Sequence, residues 1–182
     1  FMLIGSLLAI FLVPWLKRKA IVYVKKHSEY ELKLGEVTFT GLSSLEISGI
    51  ELRPKFNIHE FYKSDSTERD WIAVKTHLSI KGIDWKSLLQ DKRLYADTLI
   101  FSETDLYVYR DKKMPDAAYK YKPLHSRILR EANFAMTIPV IQLIKGRITY
   151  DENPDNGSRG QVIFSQLYGT AYHLSTDSAY IT

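Results

Sequence analysis

The chain has 182 residues, 25 of them Lys or Arg and 21 Asp or Glu, for a net charge of +4, and it contains no cysteine. The lack of cysteine excludes disulfides, thiolate metal sites and cysteine nucleophiles. The small charge excess excludes a nucleic-acid surface: Lys17, Arg18, Lys19, Lys25 and Lys26 gather beside the first apolar segment and leave the rest near neutral, whereas phosphate binding needs a basic stripe on the folded domain.

Residues 1–16, FMLIGSLLAIFLVPWL, carry no charge and stop at Lys17-Arg18-Lys19. A full membrane span takes about 20 apolar residues, with ~17 as a lower limit. The chain starts with Phe rather than Met, so the segment is read as the C-terminal part of a transmembrane helix. A cleaved signal peptide would need small residues after the apolar run, where this chain has Trp15 and the basic cluster. Trp15 suits the membrane interface. With Lys17, Arg18, Lys19, Lys25 and Lys26 it is the expected head-group contact, each basic residue contributing roughly 1 kcal/mol near an anionic surface. Residues 17–28 form a juxtamembrane basic helix, with Leu16, Ala20, Ile21 and Val24 on one stripe and an end near His27-Ser28.

From Glu29 the apolar period becomes two, and residues 29–182 are expected to form one β domain. Tyr30, Leu32 and Leu34 alternate, and the phase slips after Gly35 to Val37 and Phe39. Leu45 and Ile47 slip in the same way at Gly49 to Ile50 and Leu52. A one-residue slip must be absorbed by a bulge or the pattern changes face, and glycine tolerates bulges best. The pair reads as a strongly bent antiparallel hairpin ended by Pro54.

Ile72, Val74, Leu78 and Ile80 alternate in the next strand, which Gly82 breaks. Asp84 is a good N-cap for a short helix with Trp85, Leu88 and Leu89. Leu94–Phe101 is predicted as a strand, residues 102–105 as a turn and Leu106–Arg110 as its antiparallel partner. Residues 111–123 read as a loop and 124–134 as a second short helix. Ile138, Val140, Gln142, Ile144, Ile148 and Tyr150 alternate again, and Asn156-Gly157 marks a turn before the last strand. The pattern is still strand-like at Thr182, so the sequence reads as the N-terminal part of a longer protein. A weak repeat of hairpins aligns Leu99–Asp111 with Val140–Glu152.

Chemical motifs are weak. The histidines at 27, 59, 77, 125 and 173 share no motif, and no metalloprotease, nucleophile-elbow, phosphate-loop or dinucleotide pattern occurs. Asp151, Glu152, Asn153, Asp155 and Asn156 start like a calcium loop, but Val162 stands where a bidentate Glu is needed. Asp97, Glu103 and Asp105 flank the predicted turn as solvated carboxylates. Tyr107, Tyr109, Tyr119 and Tyr121 read as ordinary strand and loop tyrosines. No catalytic residue, metal or cofactor is expected.

The apolar stripe carries the functional reading. Ile72, Val74, Leu78, Ile80, Leu99, Phe101, Leu106, Val108, Ile138, Val140, Ile144 and Ile148 are expected on one face of the sheet. Two short helices are too little to cover eight or more strands. A leftover apolar face must curl on itself, meet a partner or hold apolar ligand.

Three features together resemble the N-terminal region of AsmA-like envelope proteins, the TamB-related repeating β-groove superfamily, in the style of Bacteroidetes-like members. They are the anchor with its basic helix, the hairpin LKLGEVTFTGLSSLEISGIEL (Leu32–Leu52), and the units LSIKGIDWKSLLQDKRLYADTLIF (Leu78–Phe101) and VIQLIKGRITYDE (Val140–Glu152). The resemblance implies a mainly β fold: an N-terminal transmembrane helix and short amphipathic helix leading into a bent, twisted antiparallel sheet, with two short helices and an open apolar groove. It implies a non-enzymatic, single-pass inner-membrane protein of a Gram-negative cell, with its β domain in the periplasm. Its role would be to move phospholipid between inner and outer membranes, with other envelope proteins as further partners. The alternative is a scaffold subunit of an envelope complex docking through its sheet edge and apolar face. An enzyme acting on envelope glycans through the cluster at Asp151 is a third reading. The basic cluster after the anchor favours the cytoplasmic side by charge, so the periplasmic placement rests on the resemblance.

Overall fold

The computed structural model describes residue 14, residues 17–26, residue 28, residues 30–58, residue 60, residues 70–113 and residues 135–176. Apart from Pro14, the apolar segment 1–16 with Trp15 lies outside the described residues, as does the helix expected at 124–134. No helix among the described residues is long and apolar enough to cross a membrane. Residues 17–26 are helical (α1), with Ala20, Ile21 and Val24 half-buried on one side as the spacing predicts. The helix stops where expected: Ser28 donates its backbone N–H and its hydroxyl to the Val24 carbonyl at 3.0 and 2.7 Å.

Eight strands follow among the described residues: β1 (Tyr30–Lys33), β2 (Val37–Gly41), β3 (Ser44–Pro54), β4 (Asp70–Lys81), β5 (Arg93–Tyr95), β6 (Thr98–Asp111), β7 (Ala135–Asn153) and β8 (Gly160–Ser175). β1 and β2 lie end to end on one edge of β3, and β5 and β6 lie end to end on one edge of β7. The sheet is thus six strands wide, β1/β2–β3–β4–β6/β5–β7–β8. The slip at Gly35 is a break between β1 and β2, closed by Gly35 N–H to the Ser48 carbonyl at 3.1 Å and Ser48 N–H to the Glu36 carbonyl at 2.9 Å.

Two expectations are corrected. The sheet is mixed rather than antiparallel, because β5 and β6 both run parallel to β7. Residues 102–105 are not a turn: β6 runs unbroken through them, with Glu103 at φ 52. The Ser-Glu-Thr-Asp cluster has turn composition, but a bulge absorbs the same phase slip while the strand continues forward.

That bulge belongs to a line crossing the sheet. Gly49, Glu103, Lys145 and Gln166, on β3, β6, β7 and β8, all have φ between 55 ± 3 degrees by their values of 57, 52, 55 and 56. The registers of their strands place them at one level. β4 has no such residue and answers the line with buried Thr76, whose hydroxyl meets that of Thr104 at 2.7 Å. Aligned bulges bend these four strands at the same height. Only glycine adopts this backbone without Cβ strain, so Gly49→Ala is expected to cost about 1 kcal/mol, read as a lowered urea midpoint.

The unslipped β4 fixes the faces. From its even-numbered residues the registers give unbroken rows across the sheet. At the lower end, where β6 begins, runs Phe39–Leu45–Ile80–Leu99–Ile141–Ala171, then Val37–Ile47–Leu78–Phe101–Leu143–Gly169. Above the bulges runs Leu32–Leu52–Val74–Leu106–Ile148–Phe164, then Ile72–Val108–Tyr150–Val162. The opposite face is polar: Lys33–Glu51–Lys75–Asp105–Arg147 forms a cross-strand row of alternating charge. Paired opposite charges contribute ~0.2–1 kcal/mol each and keep that face in water.

The clustered apolar core lies at the lower end. Ile83, Ala96, Leu99 and Ile138 form the buried cluster, with Trp85, Leu88, Leu78 and Ile141 packed against it. The helical turn that supplies Trp85 and Leu88 winds as a π-helix over Ser87–Asp91. Asp84 caps it as predicted, accepting from the N–H groups of Lys86 and Ser87 at 3.0 and 3.1 Å. Trp85 stacks obliquely on Phe39 at 5.8 Å and donates its indole N–H to the Leu42 carbonyl at 2.6 Å. Gly82, at φ 70, turns the chain into this plug where a Cβ would collide with the Asp97 carboxylate.

Candidate functional site: the upper apolar face

Of the twelve apolar candidates, nine share one face: Ile72, Val74, Leu78, Ile80, Leu99, Phe101, Leu106, Val108 and Ile148. Among these Leu99 alone is buried. Val140 and Ile144 pair with Thr98 and Ser102, one residue out of step, and point to the opposite face. Ile138 is fully enclosed in the core cluster, so it is filled by packing. The registers add neighbours the sequence did not single out: Ile141 and Leu143 beside Leu99 and Phe101, and Leu52 and Phe164 at the ends of the upper row.

Below the bulges the Ile83–Trp85–Leu88 plug occupies the apolar face. Above them, Leu32, Leu52, Val74, Leu106, Ile148 and Phe164 all keep solvent exposure, Phe164 as much as 52%. Six strands at about 4.8 Å spacing give this row a width of roughly 24 Å.

A charged rim closes the upper end of the same face. Asp70 and Arg110 are paired across β4 and β6, with Arg110 Nε and Asp70 Oδ1 at 3.9 Å, and Arg110 is opposite Glu152 on β7. Glu152 takes Lys112 Nζ at 2.8 Å and the Tyr150 hydroxyl at 2.6 Å. The bond from Lys112, then that from Tyr150, lowers the Glu152 pKa, and the same carboxylate raises that of Tyr150.

The acidic cluster does not converge. β7 extends to Asn153, so Asp151 and Glu152 point to opposite faces. Asp151 is buried and accepts from Arg159 Nε at 2.6 Å, from Arg159 Nη2 and from the Tyr107 hydroxyl at 2.9 Å. Arg159 also lies over the Tyr109 ring at 5.2 Å. Asn153 donates to Asp111 at 3.1 Å. No group of three or more metal-ligating side chains occurs among the described residues. The bond from Arg159 is the main cause of the lowered Asp151 pKa. The stability it contributes is therefore fully present above about pH 4 and lost as the pH falls through the lowered value. Asp151→Ala is expected to cost about 2 kcal/mol at pH 7 by leaving Tyr107 and Arg159 without their acceptor, and much less at low pH. Urea unfolding at both pH values checks this.

Other sequence candidates are dispersed. Asp97 and Asp105 lie at opposite ends of a stretch of about 26 Å along β6. Glu103 sits at the bulge, 3.8 Å from His77 Nε2. Tyr107 and Tyr109 are strand residues on the polar face, while Tyr119 and Tyr121 lie outside the described residues. Of the head-group candidates, Arg18, Lys19, Lys25 and Lys26 are exposed. Lys17 instead turns toward the sheet and donates to the Gly35 carbonyl. A cleft of about 730 Å³ on the polar face, walled by Phe56, Trp71 and Tyr107, had no sequence signal.

No known protein family, curated protein or solved structure matches the chain.

Proposed function

We propose that the protein is a membrane-anchored lipid-binding and lipid-transfer protein of the AsmA-like type. Residues 1–16 hold it in the inner membrane as a single span. The bent sheet in the periplasm offers an apolar groove along which phospholipid passes between inner and outer membranes. The observation that carries this reading is the row Leu32–Leu52–Val74–Leu106–Ile148–Phe164, continuous over six strands, half-buried from Leu32 to Ile148 and exposed at Phe164. Acyl chains laid on it escape water at about 0.8 kcal/mol per CH₂. The charged row on the other face directs them to this side. No step of this role needs a catalytic group. Organic extraction of the full-length protein, purified in mild detergent, is expected to yield phospholipid in near-stoichiometric amount; protein free of lipid would refute the proposal.

A second reading, a scaffold subunit of an envelope complex, has its own support. β8 carries no Lys, Arg, Asp, Glu or Pro over sixteen residues, and Val162, Ile163, Phe164, Tyr168 and Tyr172 are exposed on it. Natural edge strands are usually blunted by charge or proline. Stoichiometric protein partners without bound lipid would favour this role.

A further inference from the structure

We propose that the rim formed by Asp70, Arg110, Lys112, Tyr150 and Glu152 binds the head group of a zwitterionic amphiphile, its phosphate on Arg110 and Lys112 and its ammonium on Asp70 and Glu152. The inference rests on the reading of the apolar face as a seat for acyl chains. Placement comes first: Asp70, Arg110 and Glu152 continue the same face upward from Ile72, Val108 and Tyr150. A chain lying on the upper rows therefore ends at these groups. The composition decides the class. Two cations and two carboxylates stand together, so a purely anionic head group meets both acids and a purely cationic one meets both bases. A zwitterion finds partners for both its charges.

Arg110 Nε is enclosed and lies 3.9 Å from Asp70 Oδ1, too far for a hydrogen bond, so it is the outer guanidinium nitrogens of Arg110 that can meet a ligand. The rest of its side chain is 35% exposed and that of Lys112 43%, so both are reachable. A guanidinium presents its donors as a fork that matches phosphate oxygens. Tyr150, held by Glu152 at 2.6 Å, marks the boundary between apolar rows and charged rim.

The test is competition against a fluorescent acyl probe bound to the full-length anchored protein. Diheptanoyl phosphatidylcholine, diheptanoyl phosphatidylglycerol, an uncharged alkyl glucoside and inorganic phosphate serve as competitors. The phosphatidylcholine is expected to bind about tenfold tighter than the phosphatidylglycerol, one charge-assisted contact's difference. Asp70→Asn combined with Glu152→Gln is expected to abolish that preference, because the two lipids share a phosphate and differ in the ammonium, and to leave the alkyl glucoside unchanged. If the double variant fails to fold by circular dichroism, Glu152→Gln alone carries the test with a smaller loss. A wild-type protein that binds the glucoside but shows no head-group preference, or variants that keep the preference, overturn the rim and leave the apolar seat standing. Inorganic phosphate competing as well as the lipid overturns the lipid assignment in favour of a soluble phosphate ligand. Failure of the glucoside itself to compete overturns the apolar seat and the rim with it.

Discussion

Val74→Glu is expected to abolish lipid transfer between donor and acceptor vesicles while the protein stays folded and anchored. Val74 sits mid-row on the upper apolar face, between Leu52 and Leu106, and it is only partly buried. In the free protein a glutamate there reaches water and costs the fold little. Under an acyl chain the same carboxylate must be desolvated without a partner, at a cost of several kcal/mol, or more than a hundredfold in occupancy. Val140→Glu is the matched control. Val140 belongs to the same stretch of apolar sequence, but its neighbours are Thr98 and Tyr172 on the opposite face. Transfer is expected to survive that change. Equal loss in both variants would mean that lipid does not distinguish the two faces.

The largest effect on stability is expected at Ile138. It is fully enclosed among Ile83, Ala96 and Leu99, so Ile138→Ala removes buried methylenes and leaves a cavity, costing about 3–4 kcal/mol. Ile148→Ala, on the half-buried upper row, is expected to cost about 1 kcal/mol, because less of its surface leaves water on folding. Denaturant unfolding of the two variants reads the contrast directly. A cost at Ile148 as large as that at Ile138 would mean that the upper face is packed like a core, contrary to its proposed role as an open seat.

Much of the fold was legible residue by residue. The stop of α1 at Ser28, the Asp84 cap, the slip at Gly49 and the apolar alternation of β4 each rest on local chemistry within a few residues. The same local cues misled at residues 102–105, where a polar cluster suits a turn or a bulge and only the partner strands decide between them. The parallel pairing of β6 and β7 joins segments 42 positions apart by register, Thr98 with Val140, which no local pattern encodes. The internal repeat aligned Leu99 with Val140, whereas Leu99 pairs with Ile141.

That single-residue offset accounts for the misplacement of Val140 and Ile144, since a one-residue shift in register exchanges the faces of a strand. Even-numbered residues from Ile138 to Tyr150 look like one stripe, but the bulge at Lys145 divides it. The clue was available: both Ile141 and Leu143 are apolar in the gaps of that stripe, as a strand changing phase requires. The charged rim had no comparable signal, because Asp70, Arg110 and Glu152 are brought level only by three strand registers.

The proposed function requires lipid on the upper apolar face and not on the other. A photo-crosslinking amino acid placed in turn at Val74, Leu106, Ile148, Val140 and Ile144 of the full-length protein in its native membrane tests it most directly. Lipid adducts are expected at Val74, Leu106 and Ile148 and none at Val140 and Ile144; adducts absent from the first three, or equally frequent at all five, would overturn the proposed lipid seat.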